Sequence, residues 1–312
     1  MYTDQLFKLV KQPDSKLFFC SKDPNDIRLG TIVKTEQDAY INARFVIVSC
    51  SQDIGVKQNF GRGGTDRAPD VIRESFYRLT VPTGLKTGDL FDIGDTSIDA
   101  SLEEIHARHF EVVRQLIRDN KCVIVLGGGN DLSYPDGKAF QSGYPNFSAV
   151  NVDAHLDIRQ NEHPNSGTPY RQLIEENIMQ PQVFFEVGIQ QHANSSVYLK
   201  QASDWKVNLI PLEELTEFTV SDGLKKAFQS HTCEALMLNF DMDAVKAADA
   251  PGVSASLPTG LTAEQAQSLV RYFTLNFPVK MFEITEVNPK FDIDNRTAKL
   301  AAILMFTFLR YY

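Results

Sequence analysis

The 312-residue chain predicts an α/β fold built on a mainly parallel sheet with helices on both faces. Short β-rich runs recur along it, and segments of helical period separate them. Several runs are continuously apolar, which marks strands covered on both faces, because a sheet with one wet face leaves an alternation of period two.

In chain order the strand runs are "RFVIVSC" (44–50), "DLFDIG" (89–94), "KCVIVLGG" (121–128), "FSAVNVD" (147–153), "VFFEVGI" (183–189), "KVNLIP" (206–211), "ALMLNFD" (235–241) and "VKMFEIT" (279–285). The helix signals are as local. "APDVIRESFYRL" places Pro69 near a first helical position, where a missing N–H costs nothing. "SLEEIHARHFEVVRQLIRDN" opens on Ser101 with Glu104 three residues on, a capping box. "TAEQAQSLVRYFTLNF" begins at Thr262 and sets Leu269, Phe273 and Phe277 on one face. "NRTAKLAAILMFTFLR" is apolar enough for a well-buried final helix.

No repeat, low-complexity tract or Pro/Gly/Ser linker divides the chain, so residues 1–312 are expected to form a single domain. Residues 1–30 are polar and irregular and read as an N-terminal extension over the core. The net charge of -9 argues against nucleic-acid or anionic-membrane partners, and no basic stripe offsets it. Four cysteines form no C-x-x-C pair, and Cys50 and Cys122 sit in or beside β-branched runs that suit buried thiols. With no apolar leader and no run of about 18 apolar residues, the expectation is a soluble, cytoplasmic protein.

The placement of polar residues carries the functional signal. Asn130 and Asp131 follow "VIVLGGG"; Asp153, His155 and Asp157 follow "SAVNV"; Gln190 and Gln191 follow "FFEVGI"; Asp241 and Asp243 follow "LMLNF"; Glu286 and Asn288 follow "KMFEIT". Each group lies past the carboxyl end of a strand, where open α/β sheets bind ligands, so the groups should converge on one crevice. Asp153, Asp157, Asp241, Asp243 and Glu286 cannot all be ionised at close quarters: either several hold protons or a cation sits among them. A lone D-x-D is common in turns, but two acidic pairs after buried strands favour the cation. Carboxylates with one imidazole suit Mn²⁺, and Mg²⁺, Fe²⁺, Co²⁺, Ni²⁺ and Zn²⁺ are compatible. If these segments are extended, residues two apart share a face, and each set aims together.

"NVDAHLDIR", "NFDMD" and "EVNPKFDIDNRTAKLAA" resemble the signature stretches of the ureohydrolases (arginase, agmatinase and formimidoylglutamase). "NSGTPYRQL", "VGIQ" and "APGVSA" are most similar to the formimidoylglutamase branch. The resemblance runs from about Gly61 to the end. It implies an arginase-like three-layer α/β/α fold with an eight-stranded parallel sheet, a homo-oligomer, and two Mn²⁺ ions at the strand ends. Asp153 and Asp241 would bridge the ions, Asp157 would complete one shell, and His155 and Asp243 the other. Glu286 would face the cationic carbon group of the substrate. The family's glycine-rich motif ends in a histidine ligand, and "GGGND" puts Asn130 there. An amide oxygen is a neutral, poorer donor to Mn²⁺, so the ion at Asp157 is expected to be weak or absent. Asp131 is expected to point away. Ser166 stands where arginase has a proton-transfer histidine, which counts against arginase.

The expected reaction is hydrolysis of a linear amidine, N-formimidoyl-glutamate, to glutamate and formamide by a metal-bound hydroxide. Glu286 would pair with the amidinium, and Asp157 would move the proton to the leaving nitrogen. For the glutamate end, Arg159 is the first candidate and Arg171 the second, with a structural pairing to the aspartates an equal reading of Arg159. Thr168 and Ser254 are further candidates, although turn hydrogen bonding explains both. His106, His109, His163, His192 and His231 read as surface or satisfied histidines. Rival readings stay open: a guanidino-compound hydrolase of the agmatinase or guanidinobutyrase kind, a one-ion amide hydrolase, or a metal-poor, non-catalytic homologue.

Overall fold

The computed structural model describes residues 2–216 and 220–312. Its strands are β1 (Val10–Lys11), β2 (Phe45–Ser49), β3 (Leu90–Thr96), β4 (Cys122–Leu126), β5 (Ser148–Val152), β6 (Phe184–Ile189), β7 (Asn208–Pro211), β8 (Leu236–Asp241) and β9 (Val279–Thr285). They form one sheet in the order β1-β3-β2-β4-β9-β8-β5-β6-β7. The runs read from the sequence supply β2 to β9, and these eight run parallel to one another. The ninth, β1, pairs antiparallel with β3 through two residues at the edge, too short for any alternation to show. Residues expected to be irregular thus hold a helix, Tyr2–Phe7, and this edge strand; residue 1 lies outside the described residues.

The continuously apolar runs are buried on both faces, as a doubly covered strand must be. Phe45, Ile47, Val150 and Val152 face one core with helices Ala68–Tyr77, Ala263–Asn276 and Arg296–Tyr311. Val46, Val48, Ala149 and Phe184 face a second core with helices Leu102–Arg118, Ser133–Gly143 and Pro169–Glu175. The result is the three-layer α/β/α sandwich. Local signals set the helix ends: Ser101 with Glu104 and Thr262 with Gln265 both form complete capping boxes, each worth about 1 kcal/mol. Cys50 and Cys122 are buried thiols, and the cysteines are unpaired.

This topology positions the site. β4, β9, β8 and β5, whose carboxyl ends carry Asn130, Glu286, Asp241 and Asp153, are four adjacent strands near the middle of the sheet. Parallel pairing puts all four ends on the same edge. Among the described residues no helix is long and apolar enough to cross a membrane.

Candidate metal centre

The acidic residues converge on a pocket of about 190 Å³, lined by His155, Asp157, Asp241, Asp243 and Glu286 among others. Asp153 is fully buried behind it. One ligand atom each from Asp153, His155 and Asp243 lies within 4.8 Å of the others, and the same holds for Asp153, Asp157 and Asp241. Asp153 is common to both triples.

The two-residue spacing works, but not through strand alternation. β5 ends at Val152, and Asp153 bends the chain by accepting the His155 backbone N–H at 2.7 Å. Asp241, the last residue of β8, does the same to the Asp243 N–H at 2.8 Å. These are Asx turns, in which a carboxylate stands in for the next backbone acceptor. Both leave a second side chain that could hold a metal, His155 or Asp243, in the crevice. Asp157 and Glu286 reach the pocket differently, each with a left-handed backbone (φ 46° and 64°). Such a residue costs about 1–2 kcal/mol, and here it turns a carboxylate into the crevice that an extended chain would aim elsewhere.

Electrostatics define what the cluster can accept. Burial, reinforced by neighbouring carboxylates, pushes the Asp157 carboxyl up to about 8 and the Asp241 and Glu286 carboxyls well above their ordinary range. Asp153 is raised by the same causes. Burial disfavours an imidazolium at His155, yet Asp243 and Asp153 facing it raise its pKa well above the usual value. Its Nδ1 lies 3.3 Å from an oxygen of each. Asp243 Oδ1 is buried, and it faces the His155 imidazole without a well-aligned hydrogen bond. Crowded, buried carboxylates whose ionised forms are disfavoured fit a hard divalent cation, which would favour those forms.

Asn130 is at the centre but not aimed as a ligand. Its Nδ2 donates to Asp157 Oδ2 at 2.7 Å, while its Oδ1 accepts from Ser133 Oγ and Thr285 Oγ1. Its backbone N–H donates to Glu286 Oε1 at 2.7 Å. Asp131 points away, to His106 Nε2 at 2.7 Å and Gln52 Nε2 at 2.8 Å.

The candidate substrate contacts divide. Arg159 lines the pocket. Ser254 lines it too, but its hydroxyl donates to Glu286 Oε2, so it orients that carboxylate. Thr168 lies outside the pocket, with its hydroxyl between Asn165 and Gln172 in its own turn. Arg171 is also outside, committed to Glu175 at 2.7 Å, to Ile158 O and Gln201, and stacked on Trp205. Both placements have one cause: Thr168 is the N-cap of helix Pro169–Glu175 and Arg171 lies within it, so this segment packs on its own neighbours. Gln190 ties down Thr259 instead of facing the carboxylates, and Gln191 is exposed. His106 and His109 are buried and engaged, His231 meets Ser148, and His163 and His192 are exposed.

A wall of the pocket was not anticipated. Asn59, Phe60, Gly61 and Arg62 line it, from the stretch "NFGRGGTD" ahead of the Pro69 helix. Its glycines and its arginine were the available signal. Arg62 donates to Ser254 O at 3.2 Å and to Val253 O, and stacks on Phe291.

Residues 43–310 match the profile of the arginase family. The chain belongs to the arginase family. Among curated relatives it is 30% identical over 262 residues to a formimidoylglutamase of Macrococcus caseolyticus, covering 83% of this chain and 82% of that one. Among solved structures it is similar to a formiminoglutamase of Trypanosoma cruzi, in an asparagine-to-histidine variant with Mn²⁺. That likeness has a TM-score of 0.84 and 28% identity over 92% of this chain and 98% of the other. A formimidoylglutamase of Bacillus subtilis shares the fold, with a TM-score of 0.86 at 23% identity over 100% of this chain and 98% of the other.

Proposed function

We propose that this arginase-family chain is a Mn²⁺-dependent hydrolase that cleaves N-formimidoyl-glutamate and water to glutamate and formamide. The observation that carries the proposal is the polarity of the pocket. Buried carboxylates suited to cations line its depth, while Arg159 lines the same small space. A substrate with an amidinium at one end and carboxylates at the other complements both. The formimidoylglutamase relatives support the same substrate.

In this reading Asp153, His155, Asp157, Asp241 and Asp243 would hold the Mn²⁺, which would supply a water of lowered pKa there. The remaining work falls to the chain. Glu286, fixed by the Asn130 N–H and the Ser254 hydroxyl, pairs with the planar amidinium and sets its carbon in place. Asp157 accepts a proton at a carboxylate oxygen and hands it to the glutamate nitrogen as the C–N bond breaks. Arg159 binds a carboxylate of the glutamate moiety.

The assay is formamide release from N-formimidoyl-glutamate with added Mn²⁺, beside urea release from agmatine and guanidinobutyrate. Formamide release that disappears in Asp241→Ala is expected. Faster urea release would move the assignment to guanidino compounds, and undiminished turnover in Asp241→Ala would exclude the mechanism.

A further inference from the structure

Asn59 is half-buried on the pocket wall, and both ends of its amide are committed. Its Oδ1 accepts from Arg159 NH1 at 3.1 Å, and its Nδ2 donates to Ser166 Oγ at 3.0 Å. Backbone bonds lock the three segments together, from Arg159 N to Gly167 O at 2.8 Å and from Ser166 N to Gly55 O at 3.2 Å. A Cβ at Gly167 would come within 3.0 Å of both Arg159 Cδ and the Asn59 amide, so the bare backbone there lets the two side chains meet.

The chemistry of the pairing is specific. Arg159 is exposed and long, and a free side chain of this kind surrenders rotamer freedom when a ligand captures it. A carboxylate partner would hold the guanidinium but cancel its charge. An amide oxygen holds it through one N–H and leaves both the charge and the other donors for an incoming anion.

We propose that Asn59 is a positioning residue for substrate selection, holding the Arg159 guanidinium with its charge unspent to receive a carboxylate of an acidic amidine. The Asn59–Ser166 bond fixes the amide that does this, so the wall is set before substrate arrives. The inference rests on the proposed assignment of Arg159 to the carboxylate end.

The test compares wild type, Asn59→Ala and Asn59→Asp, all loaded with Mn²⁺. The substrates are N-formimidoyl-L-glutamate and N-propylformamidine, which carries the same amidine and no carboxylate, and glutamate binding is followed by calorimetry. Asn59→Ala should raise KM for the acidic substrate roughly three- to tenfold and weaken glutamate to match, with kcat and the turnover of N-propylformamidine unchanged. Asn59→Asp should raise KM further, because Arg159 then pairs internally. Unchanged KM and glutamate affinity, or an equal loss on both amidines, would overturn the inference. A wild type that cleaves neither amidine defeats the proposed function instead. Glutamate calorimetry then decides alone, and Asn59→Ala must weaken binding for the inference to stand.

Discussion

The side-chain amide of Asn130 points its nitrogen, not its oxygen, at Asp157, with Nδ2 2.7 Å from Oδ2. The orientation is held from behind. Ser133 Oγ receives hydrogen bonds from Asn239 and Tyr170 and has both Asn130 Oδ1 and Glu283 Oε2 at 2.9 Å as acceptors for its proton, while Thr285 Oγ1 donates to the same Asn130 oxygen. For that oxygen to reach an ion beside Asp157, the amide has to turn over and give up both bonds. Asn130 thus supplies Asp157 with a neutral stand-in for a cation. We expect Asn130→His to tighten one of two Mn²⁺ ions by at least the roughly tenfold that even outer-sphere partners command. Mn²⁺ counted per chain after dialysis, with titration calorimetry, reads this directly. Equal affinities in the two proteins would show that Asn130 does not limit binding.

Protonation gives a second handle. In the metal-free protein the Asp157 carboxyl titrates near 8 because it is buried beside Asp153, whereas an unfolded aspartate titrates near 4. The folded state therefore binds the extra proton between those values. The stability this group contributes is present below about pH 4 and is lost as pH rises through about 8. Metal-free protein should accordingly unfold at a lower urea midpoint at pH 8 than at pH 5, and saturating Mn²⁺ should reverse the order by expelling the proton. Calorimetry in buffers of different ionisation enthalpy should show proton release on Mn²⁺ binding. A midpoint that rises with pH in the metal-free protein would contradict the assignment.

The parallel core was legible because burial on both faces leaves continuous apolar runs, clearest in the "FVIV" of β2 and the "CVIVL" of β4. Helix Ser133–Gly143 was not, since Pro135, Gly137 and Gly143 obscure its period. The converging carboxylates could be read from the ends of β5 and β8, because Asp153 follows the one at once and Asp241 closes the other. How they converge could not. Asx turns at those two residues and left-handed backbones at Asp157 and Glu286 are local geometries with no periodic signature. Asn59 and Arg62 escaped because glycines and an arginine in a short loop do not say which distant strand ends the loop folds back over. Thr168 and Arg171 lie outside the pocket for the opposite reason. They lie close to the ligand run in sequence but belong to a helix with neighbours of its own.

Glu286 separates two effects that a single substitution would confuse. Its Oε1 is held by the Asn130 N–H and its Oε2 by Ser254. Glu286→Gln keeps the shape and removes the charge, so kcat/KM should fall by about 10²–10³ while bound Mn²⁺ is retained. Ser254→Ala keeps the charge and frees one oxygen, so the expected loss is smaller, about tenfold. Metal analysis beside steady-state kinetics distinguishes them. A larger loss in Ser254→Ala than in Glu286→Gln would reverse the roles argued for the pair.

The turn that carries Glu286 depends on close backbone approach at Gly128. Its carbonyl accepts the Glu286 N–H at 2.9 Å, and a Cβ on Gly128 would lie 1.7 Å from the backbone oxygen of Gln52. Neither chain can yield cheaply, since Gln52 also anchors Asp131 through its side chain and caps the Ile54 N–H. Gly128→Ala should therefore cost about 3 kcal/mol in overpacking and displace Glu286, lowering stability and turnover together. Gly84 is the control. Its φ of 97° penalises any side chain, but nothing lies within 4 Å of a Cβ there. Gly84→Ala should cost about 1 kcal/mol of backbone strain and leave kcat/KM unchanged. Urea denaturation and kinetics on both variants decide the point: if Gly128→Ala is no worse than Gly84→Ala, steric contact at the strand ends does not hold the site in shape.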